Sequence, residues 1–136
     1  MDFEDTLKVS TAGMSAQSTR LRTIAENLAN AGSTASSPGV DPYRRKLVTF
    51  RNVLDEATGN KLVKVNKVVE DASPFELKFV PGHPAADANG YVRFPNVNST
   101  IEMADMKDAQ RAYTANVDVI DNAKTMLSRA IGLLQN

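Results

Sequence analysis

The chain contains no cysteine, no tryptophan and a single histidine, and neither sign of charge is in excess. Without cysteine there are no disulfides, no thiolate metal sites and no cysteine nucleophile, although this leaves the compartment open. Lys and Arg number 16, and so do Asp and Glu. No global field therefore draws the protein to nucleic acid or anionic lipid, and neutrality removes one barrier to self-association. Aromatic residues make up only 6% of the chain, a thin basis for a ligand cage or a stacking platform. No run approaches the roughly 20 apolar residues of a membrane span. The first five residues, Met1 to Asp5, are acidic and no apolar stretch follows. Any export is therefore expected to proceed without a cleaved signal peptide.

Catalytic residue patterns are scarce as well. His83 stands in Pro81-Gly82-His83-Pro84. A metal site there would need partners, with Asp87 the nearest, and a Ser-His-Asp triad would need this same loop histidine. There is no Gly-x-Ser-x-Gly elbow and no Walker-type phosphate loop. Glu70, Asp71 and Glu76 could imitate the carboxylate pair of a glycoside hydrolase, but read more simply as charges on a solvated hairpin. The expectation is a protein that is not an enzyme, with no catalytic residue, metal or cofactor.

What the chain does have is a hydrophobic stripe at each end, repeating every seven residues. It runs Leu7, Met14, Leu21, Leu28 and then Met106, Tyr113, Ile120, Leu127, Leu134. Seven residues is two helical turns, so each series lies on one face and forms a seam for another helix. The first helix is expected from Phe3 to Ala31, capped by Asp2, with Glu4 and Asp5 in its first turn. Its remaining seam positions are Phe3, Ser10, Gln17, Ile24 and Ala31, and its many Ser, Thr and Ala give only moderate propensity. The last helix is expected from Ser99, where Ser99 and Glu102 have the spacing of a capping box. Ala109, Ala123 and Ala130 beside its seam permit close helix approach, while Asn116 and Lys124 would penalise a wrong register. At 1.5 Å per residue this helix is about 50 Å long, whereas a compact domain of this length is roughly 37 Å across. Part of its seam must be covered by something outside the monomer.

Between the helices the helical period disappears. Ala31 to Pro42 reads as a linker. Lys46–Val53 is expected as a strand or brief helix, and Leu62–Val69 and Phe75–Val80 alternate as strands. Asp71–Pro74 has turn composition and would join those last two as a hairpin. Tyr91–Phe94 after Asn89-Gly90 could add a strand. The fold class is thus mainly α with a small β element. The terminal segments 1–31 and 99–136 pair as an antiparallel coiled coil, and 32–98 forms an extended linker and β-hairpin. The basic run Arg44-Arg45-Lys46 is either a contact for an acidic neighbour or anionic polymer, or a solvated loop.

Several segments, taken together and in order, resemble the flagellar basal-body rod proteins, nearest to their proximal rod branch. They are Asn27-Leu28-Ala29-Asn30, Pro42-Tyr43-Arg44-Arg45-Lys46, Gly90-Tyr91-Val92, Pro95-Asn96-Val97-Asn98, Glu102-Met103 and Arg111-Ala112-Tyr113-Thr114-Ala115-Asn116-Val117. The wider rod and hook pattern places Thr-Pro-Gly-Tyr soon after the Asn-rich segment. Here Gly32 to Asp41 is longer and Tyr43 comes late, as in the proximal branch. The resemblance implies a structural subunit of the rod, which crosses the periplasm and transmits torque. It also implies export through the flagellar type III apparatus, with itself, other rod proteins and membrane-ring components as partners. The two stripes are then the assembly seam, and Tyr43, Arg44 and Arg45 are expected at lateral contacts. Two rival readings are a small peptidoglycan-cleaving hydrolase and a non-flagellar coiled-coil adaptor.

Overall fold

The computed structural model describes residues 3–134. The elements are α1 (Phe3–Ala29), β1 (Lys46–Leu54), β2 (Lys61–Glu70), β3 (Glu76–Phe79), β4 (Tyr91–Phe94) and α2 (Ser99–Leu134). Asp2, the expected cap of α1, lies outside the described residues. The helix ends at Ala29, two residues short of the expectation. The amide N–H of Asn30 reaches the carbonyls of both Glu26 and Asn27, and its side chain donates to the Glu26 carbonyl at 2.9 Å. That tightening closes the last turn.

At the start of α2 the capping box is replaced by a simpler cap. Asn98 Oδ1 accepts from the amides of Thr100 at 3.0 Å and Ile101 at 3.3 Å. The side chain of Glu102 does not turn back to the helix end. It points inward and is 1% exposed. A glutamate taken by a buried arginine cannot also close a capping box, so the asparagine one residue earlier does it.

The two helices run antiparallel. Asn27 bonds Glu102, and Gly13 lies against Asn116, fourteen positions along in each helix. The buried residues of the helix pair are mostly small or polar: Ser10, Gly13, Ala16, Thr23 and Asn27 on α1 with Ala109 and Glu102 on α2, and Ile24 as the large apolar side chain among them. A Cβ on Gly13 would stand 2.9 Å from the Asn116 amide. Leu7, Met14, Leu21 and Leu28 are only half-buried, on the flank of this contact. The backbones approach most closely where side chains are smallest, so the large apolar series borders the seam rather than forming its centre.

The strands pair otherwise than expected. β1 pairs antiparallel with β2, from Lys46 opposite Glu70 to Leu54 opposite Lys61. β3 pairs antiparallel with β4. The hairpin across Asp71–Pro74 is therefore absent. The turn that forms is Asp55–Asn60. There the Asp55 carbonyl accepts from Thr58 and Gly59, and Gly59 takes the positive φ of 68° that lets the chain reverse. Asp71 is withdrawn from turn formation because its amide bonds the Arg45 carbonyl at 2.8 Å. An extra residue, Asn66, interrupts the β1–β2 ladder, since Thr49 faces Lys67 and Phe50 faces Val65. This bulge moves Val63 and Val65 to the face of Val68 instead of that of Val69.

The β1–β2 hairpin lies lengthwise on α1. The backbone of Lys46 bonds Asn27, and Asp55 lies 3.8 Å from Lys8. Nine strand steps and nineteen helix steps both span about 30 Å, so the two ends meet without strain. The second pair is closed by Asp87, whose Oδ1 accepts from the amides of Asn89 and Tyr91, both at 2.9 Å. Gly90 has φ 84°, and a Cβ there would meet Phe79 Cε2 at 2.8 Å and Pro81 Cβ at 3.1 Å. Gly90→Ala is therefore expected to destabilise the protein by about 1–3 kcal/mol, read as a lower thermal midpoint.

Candidate functional site

The interior of this protein is partly polar. Among the described residues the buried hydrophobic residues are Ala16, Ile24, Val92 and Ala109, and the polar Glu102 and Asn27 are buried with them, each 1% exposed. Around these two meet four of the six segments on which the family resemblance rests: those of Asn27, Tyr43 to Lys46, Asn96 and Glu102. Asn27 Oδ1 accepts from the Tyr43 hydroxyl at 2.9 Å and the Lys46 amide at 2.9 Å. Its Nδ2 donates to the Lys46 carbonyl at 2.8 Å and to Glu102 Oε2 at 3.1 Å. All four hydrogen-bonding positions of this carboxamide are occupied, as burial demands. One side chain thereby joins the end of α1, the start of β1 and the start of α2.

Arg45 forms the other half of the junction. Its Nε donates to Glu102 Oε1, its Nη1 lies 3.3 Å from Asp71 Oδ2, and its Nη2 lies 3.5 Å from Asp105. Burial alone would lower the Arg45 pKa, but the hydrogen bond and charge of Glu102, with Asp71, hold it above its ordinary value. Asn96 completes the knot. Its Oδ1 accepts from the Arg45 amide at 2.7 Å, and its Nδ2 donates to the carbonyls of Asp71 and Ser73. Arg44 donates to the same two carbonyls and lies over the Phe75 ring at 4.2 Å. Burial raises the pKa of Tyr43, which stays a neutral donor.

Asp71 is held below the usual carboxylate range, first by the Ser73 hydroxyl, then by the Ser73 amide and Arg45. A carboxylate with a depressed native pKa stabilises the fold above its unfolded pKa, and that contribution is lost as pH falls through the native value. The urea midpoint is accordingly expected to hold from neutrality to about pH 4 and to fall below it. Asp71→Asn should flatten the drop; identical acid profiles for both proteins would remove Asp71 from the account.

The residues expected at lateral contacts, Tyr43, Arg44 and Arg45, thus make their recorded contacts inside the protomer, and Arg45 is only 17% exposed at its side chain. Of the expected seam, Met106, Tyr113 and Ile120 are half-buried, whereas Leu127 and Leu134 are 42% and 88% exposed. Of the three carboxylates considered for glycoside cleavage, Asp71 is engaged with Arg45 and Ser73 and Glu76 lies 3.8 Å from Lys78, while Glu70 is exposed at the end of β2, opposite Lys46. His83 Nδ1 accepts from the Ala85 amide at 3.0 Å, and Nε2 lies 3.1 Å from the Thr34 hydroxyl, pinning the linker to the β3–β4 loop. Asn27, Asn96 and Glu102 appeared in the sequence only as parts of motifs. No local signal marked them as one site, because they come together from distant segments.

The comparisons with known proteins agree on one family. The family described as "Flagella basal body rod protein" matches residues 7–35, and "Flagellar basal body rod FlgEFG protein C-terminal" matches residues 88–133. The chain is 50% identical over 128 residues to the flagellar basal-body rod protein FlgC of Agrobacterium fabrum, covering 94% of this chain and 92% of that one. The FlgC of Salmonella typhimurium is 43% identical over 126 residues, 91% of this chain and 92% of its own. That of Yersinia enterocolitica is 38% identical over 135 residues, 99% and 100% of the two. With its motif residues gathered into a structural knot, this chain belongs to the flagellar basal-body rod protein family, as a structural subunit and not an enzyme.

Proposed function

We propose that this protein is a subunit of the proximal part of the flagellar rod. Its terminal helices would assemble as an antiparallel coiled coil into a helical tube that carries torque across the periplasm. The observation that carries this reading is the length of α2. In the register set by Asn27–Glu102 and Gly13–Asn116, Phe3 stands beside roughly residue 126. The seam face of α2 continues past that point through Leu127, Ile131 and Leu134, about two further turns, and all three are exposed. Met126 and Leu133 beside it are 72% and 80% exposed. A stripe this apolar at the end of a rigid helix is an assembly surface.

Leu7, Met14, Leu21 and Leu28 extend that surface along the flank of α1 turned away from the hairpin. Residues 1–31 with 99–136 are thus assigned to the axial contacts. Residues 32–98 are assigned to lateral ones, through the exposed Leu77, Phe79 and Tyr91 of the second strand pair and the outer sides of Tyr43, Arg44 and Arg45. The neighbours are further copies and other rod proteins, with membrane-ring components at the base. Export through the flagellar type III apparatus belongs to the same proposal. Among the described residues no helix is long and apolar enough to cross a membrane.

Electron microscopy of basal bodies from a strain lacking the gene tests this reading. Particles ending at the membrane ring, without rod or hook, are expected; intact rods would refute it.

A further inference from the structure

The β1–β2 hairpin carries like charges in direct opposition. Arg51 pairs with Lys64 across the ladder, and Lys67, opposite Thr49, extends the same face. All three are exposed, and none has an ion-pair partner among the described residues. Opposed like charges destabilise a strand pair. Solvent screens such a pair in part, and an acidic surface on a neighbouring molecule would offset the rest of its cost.

The chain as a whole is neutral, with 16 basic and 16 acidic residues, so unpaired cations imply unpaired anions elsewhere on it. Asp118 and Asp121 are such anions. Both are exposed, neither forms an ion pair among the described residues, and both lie on the side of α2 turned away from Gly13 and Ala109. Arg111, further along that side, is already paired with Asp108 at 3.7 Å. The spacings also agree. Side chains directly opposite on a ladder stand about 5 Å apart, as do side chains three residues apart on a helix.

We infer that the Arg51–Lys64 pair of one copy docks on the Asp118–Asp121 pair of the next copy. This contact is heterologous, joining two different patches, so it repeats without closing on a dimer and propagates a helix of subunits. It deepens the rod reading and rests on it, adding a specific contact between the hairpin of one copy and α2 of the next.

The test uses the full chain in a deletion strain whose motility the wild-type gene restores. A hairpin variant carries Arg51→Glu with Lys64→Glu, and a helix variant carries Asp118→Lys with Asp121→Lys. Each alone is expected to lose most hook-bearing basal bodies, while the four changes together restore them. The hairpin variant keeps two like charges opposed, so the thermal midpoint of its free subunit should match wild type and misfolding is excluded. Normal basal-body numbers from either variant alone would overturn the proposal. So would a loss that the fourfold swap does not repair. If purified wall sacculi then sediment the wild-type chain but not the hairpin variant, the cations serve an anionic wall polymer instead. Failure of the rod reading itself is separate: the deletion strain would then build complete rods.

Discussion

Leu127→Asp leaves the free subunit as stable as wild type and abolishes its incorporation into rods. Leu127 lies on the same α2 stripe as Tyr113 and Ile120, but past the point where α1 ends, and it is 42% exposed in the protomer. A surface substitution away from caps and cores changes stability by about 0.5 kcal/mol or less. In the rod proposed here, the same position is enclosed by neighbouring helices. An unpaired carboxylate there would cost several kcal/mol per subunit, repeated at every copy. Ile120→Asp should also abolish assembly, but Ile120 is half-buried in the protomer and its loss should lower the unfolding midpoint as well. The contrast between the two positions separates assembly from folding. A motile strain carrying Leu127→Asp would rule out the overhang as an assembly surface.

Arg45→Met acts on the fold instead. It leaves the Glu102 carboxylate 1% exposed, with only the Asn27 amide as partner. Removing one member of a buried ion pair costs about 3–5 kcal/mol, a large share of the roughly 5–15 kcal/mol that holds a domain together. The urea midpoint should fall sharply. Glu102→Gln alone should also destabilise, because Arg45 then faces a neutral amide. The double variant should lose less than the sum of the two, the mark of direct coupling. Additive losses would show that Arg45 and Glu102 stabilise the fold independently.

The parts of this structure that were readable from sequence are those set by local repetition. The seven-residue series placed both helices, and alternation placed the strands, because periodicity reports which face of an element is covered. Pairing was less accessible. Asp71-Ala72-Ser73-Pro74 has the composition of a turn, yet Asp71 is held by Arg45 and Ser73, and the reversal occurs at Asp55–Asn60. An aspartate followed four positions on by Gly59 was the available signal. Within the protomer the closest helix approach runs through the small residues Gly13, Ala16 and Ala109, with the large apolar series on its flank, since packing distance is set by the smallest side chains. The junction at Asn27 and Glu102 could not be found by spacing at all. Its members are 75 positions apart and meet only once the helices pair.

This architecture bears on how a torque-bearing rod is built. Among the described residues few apolar side chains are buried within the protomer and sixteen large ones are exposed, and in the proposed rod neighbouring subunits complete their packing. The polar knot joins α1, β1 and α2 within the subunit, and in the proposed rod the outer stripes join subunits. Rigidity would then come from many interdigitated contacts rather than from any single bond.

The central claim is that the end of the α2 stripe is bare in the subunit and covered in the rod. Because the chain has no cysteine, Leu127→Cys provides a single reporter thiol. Its maleimide labelling rate should be measured in the free subunit and in basal bodies purified from a strain that this variant keeps motile. Rapid labelling of the subunit with strong protection in the basal body is the predicted result. Equal labelling in both would contradict the account, because the overhang would then remain uncovered after assembly.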